Sequence, residues 1–155
     1  MVIFSVKEVV EQAIQTERLG KEFYTKMADK FHDQSELKKL FAVLAAQETK
    51  HELSFSSLMN GLTAEDSEGW DEVTQYLRAI VDSEFFLGKD KCLPSLEQVK
   101  KAADAIDFAL CFERETLLYY YGLRETLKEK EIIEAIIKEE KSHIVWLNTL
   151  RKSFL

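Results

Sequence analysis

The sequence has few of the residues from which turns are built. Its 155 residues include five glycines and one proline, whereas an all-β sandwich or barrel needs frequent turn residues. No stretch approaches the roughly 18 uncharged apolar residues of a transmembrane helix. The N-terminus also lacks the basic and apolar regions of a signal peptide. We therefore expect a helical, cytoplasmic protein without a membrane segment.

Cysteine is also scarce, and basic residues are outnumbered by acidic ones. The two cysteines, Cys92 and Cys111, are too few for a disulfide framework, and the absence of CxxC pairs argues against a zinc ribbon or an iron–sulfur centre. We interpret them as two thiols in a reducing compartment. With 21 Lys and Arg against 28 Asp and Glu, the net charge is −7. This balance disfavours binding to nucleic acid or to an anionic membrane surface.

Helical periodicity is the dominant signal that is present. It predicts helices at approximately residues 6–31, 36–59, 70–86, 96–127 and 129–152. Capping boxes at Ser5 with Glu8 and at Ser95 with Gln98 mark two helix starts, and Ser35 is the predicted N-cap of the second helix. Four long helices with a short helix in a long crossover predict an all-α four-helix bundle, formed by a single domain over residues 1–155.

Each long helix carries an apolar stripe of residues three and four apart, which predicts the side that faces the bundle interior. Every stripe is interrupted near its middle by a glutamate, and two stripes also carry a histidine. The residues are Glu17 in the first helix, Glu48 and His51 in the second, Glu113 in the third long helix, and Glu140 and His143 in the last. The two halves of the chain thus repeat one pattern, a glutamate followed by a Glu-x-x-His unit.

Four ionised carboxylates in a bundle core repel one another and are poorly solvated. The stripes offer no Lys or Arg near them, so metal binding is the explanation that remains. Four glutamates and two neutral histidines carry −4, which two divalent ions balance. Carboxylate and imidazole ligands suit iron or manganese, and zinc binds them without redox activity. Gly20 and Thr116, one turn beyond Glu17 and Glu113, are small enough to leave space for an exogenous ligand.

Other residues near these positions receive simpler interpretations. Tyr24 and Tyr120 each lie seven residues after a stripe glutamate. They are predicted core aromatics with satisfied hydroxyls, and the alternative is a role beside the metal ligands or in the redox chemistry. Glu22, Glu115 and Glu139 are predicted surface charges.

The arrangement resembles the ferritin-like diiron-carboxylate superfamily, and the rubrerythrin branch in particular. The resemblance covers all four long helices and rests on four segments: TERLGKEFY (16–24), LAAQETKH (44–51), FERETLLYY (112–120) and KEEKSH (138–143). It implies six metal ligands, which are Glu17, Glu48, His51, Glu113, Glu140 and His143. It also implies two divalent metal ions, most readily iron, and reduction of hydrogen peroxide or activation of oxygen.

Two features depart from the rubrerythrin pattern. The chain has no rubredoxin module with CxxC pairs, so a separate, rubredoxin-like electron donor is expected. Thr116 stands where rubrerythrins carry an additional glutamate, and Glu115 lies about 100° away around the helix. We also expect a homodimer. The alternatives are a ferritin-like iron-binding or ferroxidase protein, and a metal-free helical interaction module.

Overall fold

The computed structural model describes residues 5–63, 71–82 and 96–154. The described residues form four long helices and one short helix. The helices are α1 (Val6–Lys30), α2 (Ser35–Gly61), α3 (Asp71–Asp82), α4 (Ala102–Thr126) and α5 (Glu131–Lys152), with a 3-10 turn at Leu96–Gln98 before α4. The predicted all-α bundle, with a short helix in the crossover, is therefore confirmed.

The bundle consists of two helix pairs that face each other. The connection at residues 31–34 joins α1 to α2, and the connection at residues 127–130 joins α4 to α5. Such short connections produce antiparallel neighbours. Contacts are most extensive within each pair, and the pairs meet through α1 with α4 and through α2 with α5, while α3 packs on α4.

The helix starts agree with the sequence at α1 and differ from it at α2 and α4. Ser5 caps α1, since its hydroxyl accepts a hydrogen bond from the Glu8 amide at 3.2 Å and the Glu8 carboxylate accepts one from the Ser5 amide at 2.7 Å. The prediction that Ser35 is an N-cap is wrong. The extended residue before α2 is Gln34, which makes no side-chain capping bond, and Ser35 is already helical.

The predicted start of α4 is also wrong, because the α-helix begins at Ala102. Gln98 ends the 3-10 turn, and Ser95 lies outside the described residues. The carboxylate of Asp104 instead accepts hydrogen bonds from the Lys100 and Lys101 amides at 3.2 and 3.1 Å. An acidic side chain that satisfies otherwise unpaired amides also interacts favourably with the helix dipole.

The predicted stripes form the core of the bundle. Two stripe residues near helix ends are partly buried, Leu58 in α2 and Leu150 in α5, and the other described residues at the 3-4 spacing are buried. The 3-4 spacing thus identified the inward face of each long helix. It also identified where that face becomes polar, because the buried polar and charged residues include all six predicted ligands.

Cys111 on α4 corrects one sequence interpretation. It is disulfide-bonded, so the prediction that it is a free thiol is wrong, and Cys92 lies outside the described residues. The argument for a reducing compartment loses the support that it drew from this thiol. Within the described ranges, no helix is both long enough and apolar enough to cross a membrane.

Candidate metal centre

The six predicted ligands come from all four long helices and meet in the middle of the bundle. Their side chains form two groups in which the potential ligand atoms all lie within 4.8 Å of one another. One group contains Glu17, Glu48, His51 and Glu140, and the other contains Glu48, Glu113, Glu140 and His143. Glu48 and Glu140 belong to both groups, so the geometry is that of two adjacent positions with two shared carboxylates.

His51 presents one ring nitrogen to the centre and the other to a residue outside it. Its Nδ1 lies 2.9 Å from Glu140 Oε1 and 3.4 Å from Glu17 Oε2. Its Nε2 lies 2.6 Å from the carboxylate of Glu139. Since a carboxylate accepts hydrogen bonds, Nε2 donates to Glu139, and the lone pair of a neutral ring is then on Nδ1, facing carboxylate oxygens. The lone pair and the carboxylate oxygens repel each other. A metal ion bound between them would attract both.

The contact with Glu139 was missed by the sequence analysis, which interpreted this residue as a surface charge. Its side chain is 51% exposed, so burial patterns do not separate it from solvated neighbours. The one sequence feature that could have indicated this contact is the position of Glu139 directly before the predicted ligand Glu140. A residue next to an inward ligand lies at the edge of the helix interface, within reach of the neighbouring helix.

His143 is the counterpart of His51 in the second half. Its Nδ1 lies 3.1 Å from Glu140 Oε2 and 3.7 Å from Glu113 Oε2. The two imidazole rings are stacked with centroids 6.0 Å apart. The pseudo-twofold repeat seen in the sequence therefore places both histidines on the same side of the centre, each presenting Nδ1.

Two buried tyrosines connect the halves crosswise. The hydroxyl of Tyr24 on α1 donates to Glu113 on α4, and the hydroxyl of Tyr120 on α4 donates to Glu17 on α1. Both tyrosines are core aromatics, and both hydroxyls are satisfied by a predicted ligand. The prediction of core aromatics with satisfied hydroxyls is thus confirmed, and the partners of the hydroxyls are predicted metal ligands. A redox role for these tyrosines stays a prediction. Each tyrosine orients a carboxylate whose other oxygen faces the centre.

The electrostatics of the carboxylates show how strongly the centre favours positive charge. Burial, followed by repulsion from Glu17 and Glu140, raises the pKa of Glu48 well above its ordinary value. Burial and the nearby Glu140 raise the pKa of Glu113 in the same way. Metal ions must therefore displace protons from the centre, and we expect metal binding to release protons and to weaken at low pH.

The histidines show the complementary effect. Burial alone would lower the pKa of His143, but the facing carboxylates of Glu113 and Glu140 outweigh burial and raise it to about 10. The pKa of His51 is raised as well, because the carboxylates of Glu140, Glu17 and Glu48 outweigh its burial. Both histidines thus lie in a strongly negative environment that stabilises a bound cation.

Unsatisfied polar atoms provide the test of whether metal ions fit. Among the described residues, the buried side-chain nitrogen and oxygen atoms without a hydrogen-bond partner are Glu17 Oε2, Glu48 Oε1, His51 Nδ1, Glu113 Oε2, Thr116 Oγ1 and Glu140 Oε1. Protein interiors seldom leave such atoms unpaired. Five of these atoms belong to predicted ligands, and two divalent ions would satisfy them while balancing the charge of −4. The donor set of carboxylates and imidazoles fits iron or manganese.

Gly20 does not provide the ligand space that the sequence suggested. A Cβ atom at this position would lie 2.8 Å from Cε1 of Phe112 and 3.3 Å from Cδ of Glu48. The Phe112 ring thus occupies the place next to Gly20. Close packing between α1 and α4 is the reason for a glycine within α1.

An antiparallel four-helix bundle with a buried centre of four glutamates and two histidines defines the class of ferritin-like carboxylate proteins. The rubrerythrin family model matches residues 8–103 of this chain, which is more than half of its length. The chain therefore belongs to the rubrerythrin family, and the resemblance seen in the sequence is confirmed. The match contains Glu17, Glu48 and His51, and it ends before the ligands of the second half.

A solved structure extends the similarity to the whole bundle. A ferritin-like diiron-carboxylate protein from Thermotoga maritima is similar with a TM-score of 0.71 and 23% sequence identity. The similarity covers 100% of this chain and 99% of that one. It shows that the ferritin-like fold includes α4 and α5, which carry Glu113, Glu140 and His143. A search of the curated proteins finds no match.

Proposed function

We propose that this chain is a diiron-carboxylate oxidoreductase, which reduces hydrogen peroxide or activates oxygen with electrons from a separate donor. The observation that supports the proposal most directly is the pair of ligand groups that share Glu48 and Glu140. Membership of the rubrerythrin family supports the same class of chemistry. Redox chemistry requires a metal that changes its oxidation state, which argues against zinc. Between iron and manganese, we propose iron because the resemblance to the diiron-carboxylate proteins implies it.

The six residues would hold the two ions in distinct ways. Glu48 and Glu140 belong to both ligand groups and would help to hold both ions, whereas Glu17 with His51 and Glu113 with His143 would each help to hold one. Two bound ferrous ions would supply one electron each, which together reduce one hydrogen peroxide to two water molecules when two protons are added.

The surrounding residues keep this centre fixed and dry. Tyr24 and Tyr120 hold Glu113 and Glu17 through buried hydrogen bonds, and Glu139 orients His51. The residues Glu113 and Glu140 are 0% exposed, so bulk water is kept from the carboxylates. A preorganised, poorly solvated centre strengthens electrostatic interactions with bound cations.

Stopped-flow oxidation of the iron-loaded protein tests this proposal. The protein is loaded with ferrous iron without oxygen, freed of excess iron and mixed with hydrogen peroxide. We expect one peroxide to be consumed for each pair of irons oxidised, at a rate well above that of ferrous iron in buffer. The Glu140→Ala variant, which lacks a shared ligand, should lose this rapid phase. A wild-type rate equal to that of free iron, or an unaffected variant, would contradict the proposal.

A further inference from the structure

The hydroxyl of Thr116 behaves differently from those of five other threonines in the long helices. Five helical threonines donate a hydrogen bond to a carbonyl three or four residues earlier, at 2.7–3.1 Å; they are Thr16, Thr25, Thr49, Thr126 and Thr149. Thr116 is 2% exposed, and its Oγ1 has no hydrogen-bond partner among the described residues. Its hydroxyl is therefore available to a group that the described protein does not supply.

The position of Thr116 indicates where that group would bind. Thr116 follows Glu113 by one helical turn on the inward face of α4, and helical side chains tilt toward the N-terminus of their helix. The side chain thus lies over the turn that carries Glu113. The other unpaired buried atoms described above all belong to the predicted metal ligands. Thr116 is the one member of this set that is not itself a predicted ligand.

The repeat between the two halves shows that the centre has two different sides. When Glu17 is aligned with Glu113, Gly20 corresponds to Thr116, and Thr16 corresponds to Phe112. On the Gly20 side, the Phe112 ring fills the place beside Gly20, and a Cβ atom there would also meet the Glu48 carboxyl carbon. The space next to Gly20 is therefore occupied by protein atoms.

The repeat places small polar residues where the other half has Gly20 and Phe112. The counterpart of the bulky Phe112 is Thr16, a small side chain that is fully buried. Its hydroxyl is already used, because it donates to the Gln12 carbonyl at 2.8 Å. Of the two buried hydroxyls, that of Thr116 is the one without a protein partner among the described residues.

We propose that the Thr116 hydroxyl forms a hydrogen bond to a small exogenous ligand of the dimetal centre, which therefore binds on the Thr116 side and not on the Gly20 side. A molecule of peroxide size with oxygen or nitrogen acceptors fits this role, and azide is a suitable probe. The inference rests on the proposed function, since it requires that metal ions occupy the centre. It gives Thr116 a ligand-binding role that is separate from metal binding.

Azide titration of the iron-loaded, oxidised protein tests this inference, with the visible azide-to-iron absorption as the readout. Thr116→Val keeps the side-chain shape and removes the hydroxyl, whereas Thr116→Ser keeps the hydroxyl. Thr16→Val is the matched control, because it makes the same change at a buried hydroxyl that is bonded to its own helix. We expect azide to bind about tenfold more weakly to Thr116→Val, which is the effect of one hydrogen bond to an anion.

Thr116→Ser and Thr16→Val should retain the wild-type azide affinity. All three variants should bind the same amount of iron as the wild type. Equal azide affinity in Thr116→Val and Thr16→Val would overturn the inference, and so would loss of iron from Thr116→Val. If Thr116→Val does not fold, Thr116→Ala takes its place, with the same weakening expected relative to Thr116→Ser.

The same experiment distinguishes failure of this inference from failure of the proposed function. If the wild-type protein binds no iron, the proposed dimetal function fails and this inference fails with it. If wild type binds iron and azide but Thr116→Val binds azide equally well, only the role of Thr116 is refuted. The melting temperature of the metal-free protein provides an independent readout. Thr116→Val should raise it, because the variant removes a buried hydroxyl without a partner among the described residues, whereas Thr16→Val removes a satisfied hydroxyl and should raise it less.

Discussion

Removal of the Glu139 carboxylate should weaken metal binding although Glu139 is not among the predicted ligands. Its Oε2 accepts a hydrogen bond from Nε2 of His51 at 2.6 Å, and this bond directs Nδ1 toward the centre. Without it, the ring can take the other tautomer or rotate away from Glu140. Loss of such a partner of a metal-binding histidine typically costs 10- to 100-fold in affinity. This range corresponds to about 1.4–2.7 kcal/mol.

The size of the effect should depend on what replaces the carboxylate. Glu139→Gln retains an acceptor oxygen of similar reach and should lose less affinity than Glu139→Ala, which retains none. Because Glu139 is half-exposed, water can partly replace it, and the loss for alanine should lie toward the lower end of the range. Glu134→Ala is the matched control, since it removes another glutamate from α5 at an exposed position.

Competition with a chromophoric chelator measures the affinity of each variant for cobalt or ferrous ions. We expect affinity to decrease in the order wild type and Glu134→Ala, then Glu139→Gln, then Glu139→Ala. The circular dichroism of the metal-free variants should remain that of a helical bundle. The reasoning would be refuted if Glu139→Ala and Glu134→Ala bound metal with equal affinity.

Three further predictions follow from the same contacts. Tyr24→Phe removes a buried donor to Glu113 and should cost the metal-loaded protein about 1.5–3 kcal/mol in urea unfolding; an unchanged midpoint would contradict this. Gly20→Ala should destabilise by up to about 2 kcal/mol, because overpacking against Phe112 outweighs the helix propensity of alanine. Gly61→Ala, whose Cβ meets no described atom within 4 Å, should be neutral or stabilising in the same assay. Chelation should lower the melting temperature by about 5–10 °C for each ion that had been bound at a free metal concentration of 100 times its Kd, whereas a metal-free module would show no change.

Periodicity predicted the four long helices and the inward face of each, and it placed the polar interruption in the middle of each stripe. This succeeded because a 3-4 repeat over several turns leaves one possible interior side. The burial of Glu17, Glu48, Glu113 and Glu140 followed from that side alone. The family resemblance followed from the duplicated ligand pattern and not from overall composition.

Contacts between helices could not be predicted in the same way. The pairing of His51 with Glu139 depends on the rotation of α2 against α5, which no local pattern encodes. The occupation of the Gly20 position by Phe112 depends likewise on the separation of α1 and α4. The start of α4 was mispredicted because two capping patterns compete there, and Asp104 satisfies the free amides.

The most direct test of the central claim is the number of metal ions bound per chain. The wild-type protein is loaded with ferrous iron under anaerobic conditions, separated from free iron and measured by elemental analysis together with Glu48→Ala. We predict close to two irons per chain for the wild type and a large loss for the variant, because Glu48 belongs to both ligand groups. One iron or none in the wild type, or normal binding by Glu48→Ala, would contradict a dimetal centre at these residues.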